Sequence, residues 1–351
     1  MLVRPLPTED LEHVLSHTRE MWAETKGRSF FITGGTGFFG MWLLESFAYI
    51  NDSLGLEARA TVLTRNPNAF AEKAPHLSSR HDLTFIKGDV RDFVFPKGNF
   101  DYIIHAATET SAKLNDGLPH ELLDAIVAGM SRVLDFAATA KARKFLFTSS
   151  GAVYGLQPSE LTHIPEDFHG APDCLNAGSV YGEGKRVAEL MAVIHAQHFS
   201  TQIKIARCFA FIGPHLPLKS HFAVANFLRE AMTGKPIEIK GDGTPFRSYL
   251  YASDLATWLW TILFKGKSLR PYNVGSEDDL SISSLAYYVR DTLDSKSPIR
   301  LDTTYISGAP ISRYVPSVLR SETELGLRAT VSLRDAILRT ASWHRSTEAQ
   351  I

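Results

Sequence analysis

Tyr181 and Lys185 stand four residues apart in Tyr181-Gly182-Glu183-Gly184-Lys185. On a helix that spacing puts both side chains on one face, one turn from each other. An ammonium beside a phenol favours the phenolate and lowers the phenol's pKa from its usual value of about 10. Such a pair can take a proton from an alcohol or give it back. Alone, the pattern is common on helix surfaces. It gains meaning from Ser149-Ser150-Gly151-Ala152-Val153-Tyr154-Gly155, where Ser150 can hydrogen-bond the same alcohol oxygen. A third feature is Gly34-x-x-Gly37-x-x-Gly40, which interrupts the apolar run of Phe30, Phe31 and Ile32 before a helical pattern resumes. This is the local form a dinucleotide pyrophosphate needs. Gly34 turns the chain sharply, Gly37 lets backbone N–H groups approach phosphates, and Gly40 lets the helix lie close on the strand. The helix N-terminus adds unpaired N–H groups and partial positive charge. Proton transfer at one place and hydride transfer to a nicotinamide at another together interconvert an alcohol and a ketone.

The elements that must position these groups are legible in the apolar pattern. Strands are predicted at about 28–33, 60–64, 83–86, 102–105, 144–148 and 203–206, with helices between them, notably near 118–140 and 179–198. Short apolar strands alternating with helices predict an α/β fold, a Rossmann-type doubly wound parallel sheet with its site along one edge. Residues 8–25 carry Leu11, Val14, Leu15, Met21 and Trp22 at helical spacing, which predicts an extra helix packed on the domain edge or, as the alternative, on another subunit. Gly213-Pro214 and Pro217 mark a crossing into a smaller C-terminal α/β region. There helices are predicted near 220–233, 253–265, 281–294 and 331–346, and strands near 237–240 and 271–274. The expected division is a helical extension at 1–27, a dinucleotide-binding domain at 28–212 and a substrate-binding domain at 213–351.

The totals exclude several classes. A chain of 351 residues, 44% apolar and 21% charged, has the composition of a globular protein. Its net charge of −1, with no run of like charges, argues against a broad nucleic-acid footprint. No apolar run reaches the roughly 18 residues of a membrane span. Glu9, Asp10 and Glu12 precede any apolar stretch, so the start does not read as a signal peptide. Cys174 and Cys208 form no metal spacing, and a reducing cytoplasm is the expected setting, with no metal site.

Taken together, these motifs resemble the extended short-chain dehydrogenase/reductases that act on nucleotide sugars, over about residues 28–328. The resemblance runs through Thr33-Gly34-Gly35-Thr36-Gly37-Phe38-Phe39-Gly40, Gly88-Asp89-Val90, His105-Ala106-Ala107 and Ser150-Gly151-Ala152-Val153-Tyr154-Gly155. It continues in Tyr181-Gly182-Glu183-Gly184-Lys185-Arg186, Arg247-Ser248-Tyr249-Leu250-Tyr251-Ala252-Ser253-Asp254 and Tyr272-Asn273-Val274-Gly275. It implies a tightly held, recycled NAD or NADP, a nucleotide-diphosphate sugar substrate and a homodimer formed through the helix around Tyr181. By the same resemblance Tyr181 transfers the proton, Lys185 holds the nicotinamide ribose and tunes Tyr181, and Ser150 binds the reacting hydroxyl. The residues Gly34, Thr36, Gly37, Phe38, Phe39 and Gly40 form the cofactor loop, joined by Ala106 and Ala107. Asp89 meets the adenine and Val90 packs on that ring. Asn226, Arg247, Arg313 and Tyr251 fall on the substrate side, the two arginines matching positions that pair with phosphate.

Departures from the family pattern bear on the outcome. No carboxylate follows the second strand, which ends Leu63-Thr64-Arg65-Asn66. Arg65 can accept a 2′-phosphate, so NAD and NADP both stay open. The 4,6-dehydratases and uronate decarboxylases of the family carry a carboxylate where this chain has Ala152, which favours a 4-epimerase. Glu109 in Thr108-Glu109-Thr110-Ser111 matches another dehydratase carboxylate and is a candidate acid/base. Ile126 and Ala210 replace two common asparagines. The segments around Tyr181 and Asn226 resemble uronate decarboxylases, which keeps decarboxylation, dehydration and simple 4-keto reduction as alternatives, with a non-catalytic NAD(P)-binding subunit after them.

Overall fold

The structure, a computed structural model, describes residues 3–107, 119–220, 222–301 and 312–348. Helix α1 (Thr8–Thr18) opens the chain and passes into a short 3-10 segment, Arg19–Thr25. The alternation expected from the apolar runs follows: β1 (Ser29–Thr33), α2 (Phe38–Leu54), β2 (Arg59–Thr64), α3 (Pro67–Lys73), α4 (Pro75–Ser78), β3 (Leu83–Lys87), β4 (Tyr102–His105), α5 (Pro119–Thr139), β5 (Lys144–Ser150), α6 (Val180–His198) and β6 (Gln202–Cys208). Local chemistry sets the ends. Gly55 stops α2 in the left-handed conformation, at φ 58°. Asn66 starts α3 by accepting the Ala69 N–H at 3.0 Å, with Pro67 in the first turn.

Smaller elements complete the chain: β7 (Phe211–Ile212), α7 (Ala223–Thr233), β8 (Ile237–Ile239), β9 (Phe246–Ser248), β10 (Leu250–Tyr251), α8 (Ala252–Lys265), β11 (Pro271–Val274), β12 (Asp279–Ser281), α9 (Ile282–Thr292), β13 (Ile299–Leu301), β14 (Arg313–Tyr314), α10 (Leu319–Leu325) and α11 (Leu333–Glu348). The main sheet has seven strands in the order β11-β6-β5-β4-β1-β2-β3. Its strands from β3 to β6 pair in parallel. The order reverses between β1 and β4, and a crevice outside the strand ends is expected at such a reversal. One apolar row, Phe31–Ile103–Phe145–Ile203, crosses four strands in register. Ile126, Met130 and Val133 of α5 and Ala188 and Ala192 of α6 cover that face in a single buried cluster. At about 1.5–3 kcal/mol for each large apolar side chain removed from water, this cluster is what holds α6 on the sheet.

Two compact units interleave along the chain. Unit 1 comprises 1–155, 171–208 and 256–272; unit 2 comprises 156–170, 209–255 and 273–351. A single boundary at 212/213, as read from the sequence, does not describe this, and the packing says why. In unit 1, Trp260 and Phe264 of α8 meet Trp22 at ring distances of 4.7 and 5.2 Å. In unit 2, the 156–170 loop is tied to the strip around β14: Val315 N–H donates to Gln157 Oε1 at 3.0 Å, and Ile164 N–H to the Val315 carbonyl at 2.9 Å. The segment before β1 also differs from expectation. It enters the core of unit 1, with Trp22 fully buried and Lys144 Nζ donating to Glu24 Oε1 at 2.6 Å.

Candidate active site

Of the predicted cofactor positions, Gly34 follows β1, Arg65 follows β2, Asp89 follows β3, and Ala106 and Ala107 follow β4, each at the C-terminal end of a parallel strand, while Lys185 lies within α6. The glycine turn is sterically exacting. Gly34 has φ +74°, and a Cβ there would lie 2.4 Å from the Ala106 carbonyl. A Cβ on Gly40 would lie 2.3 Å from the Gly34 carbonyl oxygen, so Gly40 lets α2 close on the turn itself. Gly35, to which the sequence reading gave no role, would collide with Val62 at 2.5 Å. Gly37 is different: a Cβ there would meet only the Gly34 oxygen, at 3.5 Å, which leaves that side open. Thr36, Phe38 and Phe39 carry the turn into α2, whose first turn has no capping side chain and no acidic residue. Helix N–H groups without a side-chain cap suit an anionic pyrophosphate. The residues present therefore fit a dinucleotide.

After β3, Asp89 accepts three bonds from Arg91: from its N–H at 3.0 Å, Nε at 2.8 Å and Nη2 at 3.1 Å. Arg91, with the charge of Arg65 adding to it, holds the Asp89 carboxyl below its ordinary pKa. A Cβ on Gly129 of α5 would come within 2.9 Å of Val90, so that glycine lets Val90 seat against the helix.

Ser150, Tyr181 and Lys185 come together. Ser150 ends β5, its Oγ accepting the Ala152 N–H at 3.1 Å, and its hydroxyl hydrogen-bonds Tyr181. Lys185 Nζ donates to the Thr148 carbonyl at 2.8 Å, and lies 4.7 Å from the Phe147 ring centre and 5.8 Å from that of Tyr181. Two glycines of α6 permit this. A Cβ on Gly182 would strike the Ala152 carbonyl at 2.6 Å, and one on Gly184 would press on Ile126 at 3.0 Å. Each glycine costs a helix interior about 1 kcal/mol relative to alanine, so the close approach has a definite price in helix stability. Arg186 adds a bond from Nη1 to the Val153 carbonyl at 3.1 Å.

The electrostatics depart from the simple expectation. Burial pushes the Tyr181 phenol up to about 12, and the Ser150 hydrogen bond pulls the other way. Burial also takes Lys185 down to about 7, with Cys208 and Glu189 opposing it. Desolvation, not a neighbouring charge, thus sets the direction at both groups. Cys208, which sequence spacing left unassigned, sits beside this pair and is itself raised to about 12 by burial. His105 is buried, bonded through Nδ1 to Thr33 Oγ1 at 2.8 Å, and burial followed by the Lys185 charge lowers it to about 3. It is a neutral bracket between β1 and β4.

Unit 2 carries the predicted substrate residues. Arg247 of β9 is partly buried; its Nη1 donates to the Phe246 carbonyl at 2.7 Å and its guanidinium lies 5.9 Å from the Tyr314 ring centre. Among the described residues no carboxylate pairs with it, and burial lowers its pKa against the influence of Tyr249 and Tyr314. Arg313, next to Phe246 in register on β14, is paired internally with Asp279 at 2.6 Å. Asn226 Nδ2 donates to the Ser220 carbonyl at 3.0 Å. Ala210 offers its carbonyl to the Leu250 N–H at 3.0 Å. Tyr251 corrects the sequence reading: it is fully buried in unit 2, and Arg339 lies 5.8 Å from its ring centre, so it has no surface for a ligand. Glu109 lies outside the described residues. Among those described, no His/Cys/Asp/Glu group suits a metal ion, and no helix is long and apolar enough to cross a membrane.

A parallel sheet with a glycine turn at its first strand and Ser150, Tyr181 and Lys185 at its fifth strand and following helix defines a nicotinamide-dependent redox scaffold. The sequence model of the NAD dependent epimerase/dehydratase family matches residues 30–275, and the chain belongs to that family of enzymes. It is similar to UDP-glucuronic acid decarboxylase 2 of Arabidopsis thaliana, at 28% identity over 315 residues, covering 89% of this chain and 67% of the relative. In fold it is similar to the epimerase Mth375 of Methanothermobacter thermautotrophicus, with a TM-score of 0.79, 21% identity, and coverage of 96% and 97% of the two chains. A second likeness in fold is to DesIV, a dTDP-glucose 4,6-dehydratase from Streptomyces venezuelae solved with NAD, with a TM-score of 0.78, 22% identity, and coverage of 92% and 98%.

Proposed function

We propose that the protein modifies a nucleotide-diphosphate sugar through a transient 4-keto sugar, with 4-epimerisation as the outcome. The observation that carries the chemistry is the joined trio: a serine hydroxyl bonded to a tyrosine whose lysine lies one helical turn away. Ser150 holds the sugar's O4. Tyr181 takes the O4 proton as the ketone forms and returns it when the alcohol is restored. Lys185 holds the nicotinamide ribose, and its ammonium favours the phenolate form of Tyr181. NAD or NADP, when bound, supplies hydride transfer at C4 in both directions. In unit 2, Arg247 and Asn226 bind the substrate's diphosphate, with Arg313 beside them. A guanidinium buried without a carboxylate supports that reading of Arg247. Arg65 faces the cofactor's adenosine side and accepts a 2′-phosphate there, which supports use of NADP alongside NAD.

The position of Ala152 supports epimerisation over its relatives' reactions. It gives Ser150 a backbone N–H and brings no carboxylate to the strand end. The likeness to a UDP-glucuronic acid decarboxylase supports decarboxylation as the second reading. Incubation with UDP-glucose, UDP-glucuronate, CDP-glucose and dTDP-glucose, followed by mass spectrometry, separates the outcomes. A new isomer of unchanged mass is expected; loss of carbon dioxide or of water overturns epimerisation in favour of decarboxylation or dehydration. Tyr181→Phe is expected to lower turnover by about 10²–10⁴-fold while cofactor binding persists. Unchanged turnover in that variant removes Tyr181 from the chemistry.

The partner is a second copy of this chain. Val187, Leu190 and Ile194 of α6 are exposed apolar residues, and α6, the helix around Tyr181, is the one the family resemblance pairs. Light scattering at the mass of a dimer is the expected result. Cys174 and Cys208 form no disulfide, which supports a cytoplasmic setting.

A further inference from the structure

Glu189 follows Lys185 by one turn of α6, and its carboxylate is fully engaged on the sheet side. It accepts Ser149 Oγ at 2.6 Å, Arg207 Nε at 3.0 Å and Arg207 Nη2 at 2.7 Å. The remaining arm of Arg207, Nη1, donates to the Tyr154 hydroxyl at 2.9 Å, and the guanidinium lies 4.8 Å from that ring's centre. All four residues are buried or nearly so. Register explains how residues remote in sequence meet: Ser149 lies opposite Arg207, and Ser150 opposite Cys208, on β5 and β6. One ion pair thus ties together β5, β6, α6 and the turn after β5, the four segments that hold Ser150, Tyr181 and Lys185.

A clamp of purely structural purpose is made at least as well by apolar packing, because burying two charges costs several kcal/mol of desolvation each. What the pair adds is a carboxylate one helical turn beyond Lys185, held on the sheet side by Arg207, where burial works against an ammonium. Among the described residues, the titratable groups facing Lys185 include His105 from β4, Cys208 from β6, and Tyr181 and Glu189 from its own helix. The Thr148 carbonyl and the Phe147 ring face it from β5. Of these groups, only Glu189 bears a charge opposite to that of Lys185 near neutral pH.

We propose that Glu189 and Arg207 are positioning residues: Glu189 keeps Lys185 protonated for the cofactor's ribose, and Arg207 fixes the Glu189 carboxylate in place. This rests on the cofactor reading given above. Neither residue touches the reacting atoms. Both act through Lys185 and the Ser150 strand end.

The test is the affinity for NAD⁺ and NADP⁺ as a function of pH, followed by quenching of tryptophan fluorescence, with thermal melts as a check on folding. In the unaltered protein affinity falls as pH rises through the Lys185 pKa, about 7, and Lys185→Met flattens the profile. Glu189→Gln is expected to move the midpoint toward acid by about half a unit or more, because a favourable charge is lost. Glu189→Asp restores most of the shift. The paired change Glu189→Leu with Arg207→Met fills the space without charge, keeps the fold, and leaves the midpoint displaced. A folded Glu189→Gln protein with the original midpoint overturns the proposal, as does an original midpoint in the apolar pair. Failure of the unaltered protein to bind either dinucleotide has a different signature and overturns the cofactor reading, and the proposal with it.

Discussion

Two arginines, one in each unit, meet burial in opposite ways. Arg207 in unit 1 is enclosed by a carboxylate and a phenol, and although burial works against its charge, Glu189 and Tyr154 hold its pKa above the ordinary value. Among the described residues, Arg247 in unit 2 meets a backbone carbonyl and aromatic rings, and burial lowers its pKa. A buried charge that is fully paired is finished: it can orient neighbours but has nothing left to bind. A buried charge that lacks a carboxylate leaves part of its desolvation unmatched, and an anionic ligand can supply the missing charge. Arg313 shows the contrast within a single small sheet. Its guanidinium, unlike that of Arg247 among the described residues, is paired with a carboxylate, Asp279, at 2.6 Å.

Substitution should separate the two arginines sharply. Arg207→Met strands the Glu189 carboxylate, and chemical denaturation is expected to show a loss of about 3–5 kcal/mol. A loss under about 1 kcal/mol would mean that the pair is not a buried, mutually dependent unit. Arg247→Met removes a charge that pairs with no carboxylate among the described residues, so its unfolding free energy should hold or rise. The cost appears in binding instead: calorimetric titration with UDP should show a loss of about 1.5–3 kcal/mol, the usual worth of a charge-assisted hydrogen bond. If Arg247→Met is instead as destabilised as Arg207→Met, and UDP binds as before, the distinction between the two sites collapses.

This contrast was invisible in the sequence, whereas the trio and the glycine turn were not. Gly34 and Gly40 are specified by backbone geometry within one turn, and Tyr181 and Lys185 by a helical repeat, so local spacing suffices to read them. The sheet strands were legible for a similar reason, as short apolar runs bounded by turn residues. What escaped depends on register and on distant packing. The Glu189–Arg207 pair exists because β5 and β6 align Ser149 with Arg207. Trp22 reads as the apolar face of an edge helix until Trp260, far along the chain, is brought against it. Tyr251 sits in a segment otherwise suited to ligand contact, yet its neighbours close over it. The strands β9, β12 and β14, of two or three residues each, are too short for any periodic signal. Gly182 and Gly184 carried a signal that was present and unread: two glycines inside a helix that bears a reactive pair mark where that helix is approached most closely.

The smallest expected effect is the finest probe of how complete the Arg207 enclosure is. Tyr154→Phe deletes one hydroxyl, and with it the 2.9 Å bond from Arg207 Nη1, while the ring beneath the guanidinium stays. A hydrogen bond to a charged group contributes about 1.5–3 kcal/mol, and the retained ring contact and ion pair offset part of that, so a loss of about 1 kcal/mol is expected. The decisive quantity is the coupling. Made in the Arg207→Met background, Tyr154→Phe should cost almost nothing, because the group it served is gone. Equal cost in both backgrounds would show that the Tyr154 hydroxyl serves something other than Arg207, and that the arginine of unit 1 is less fully satisfied than its contacts imply.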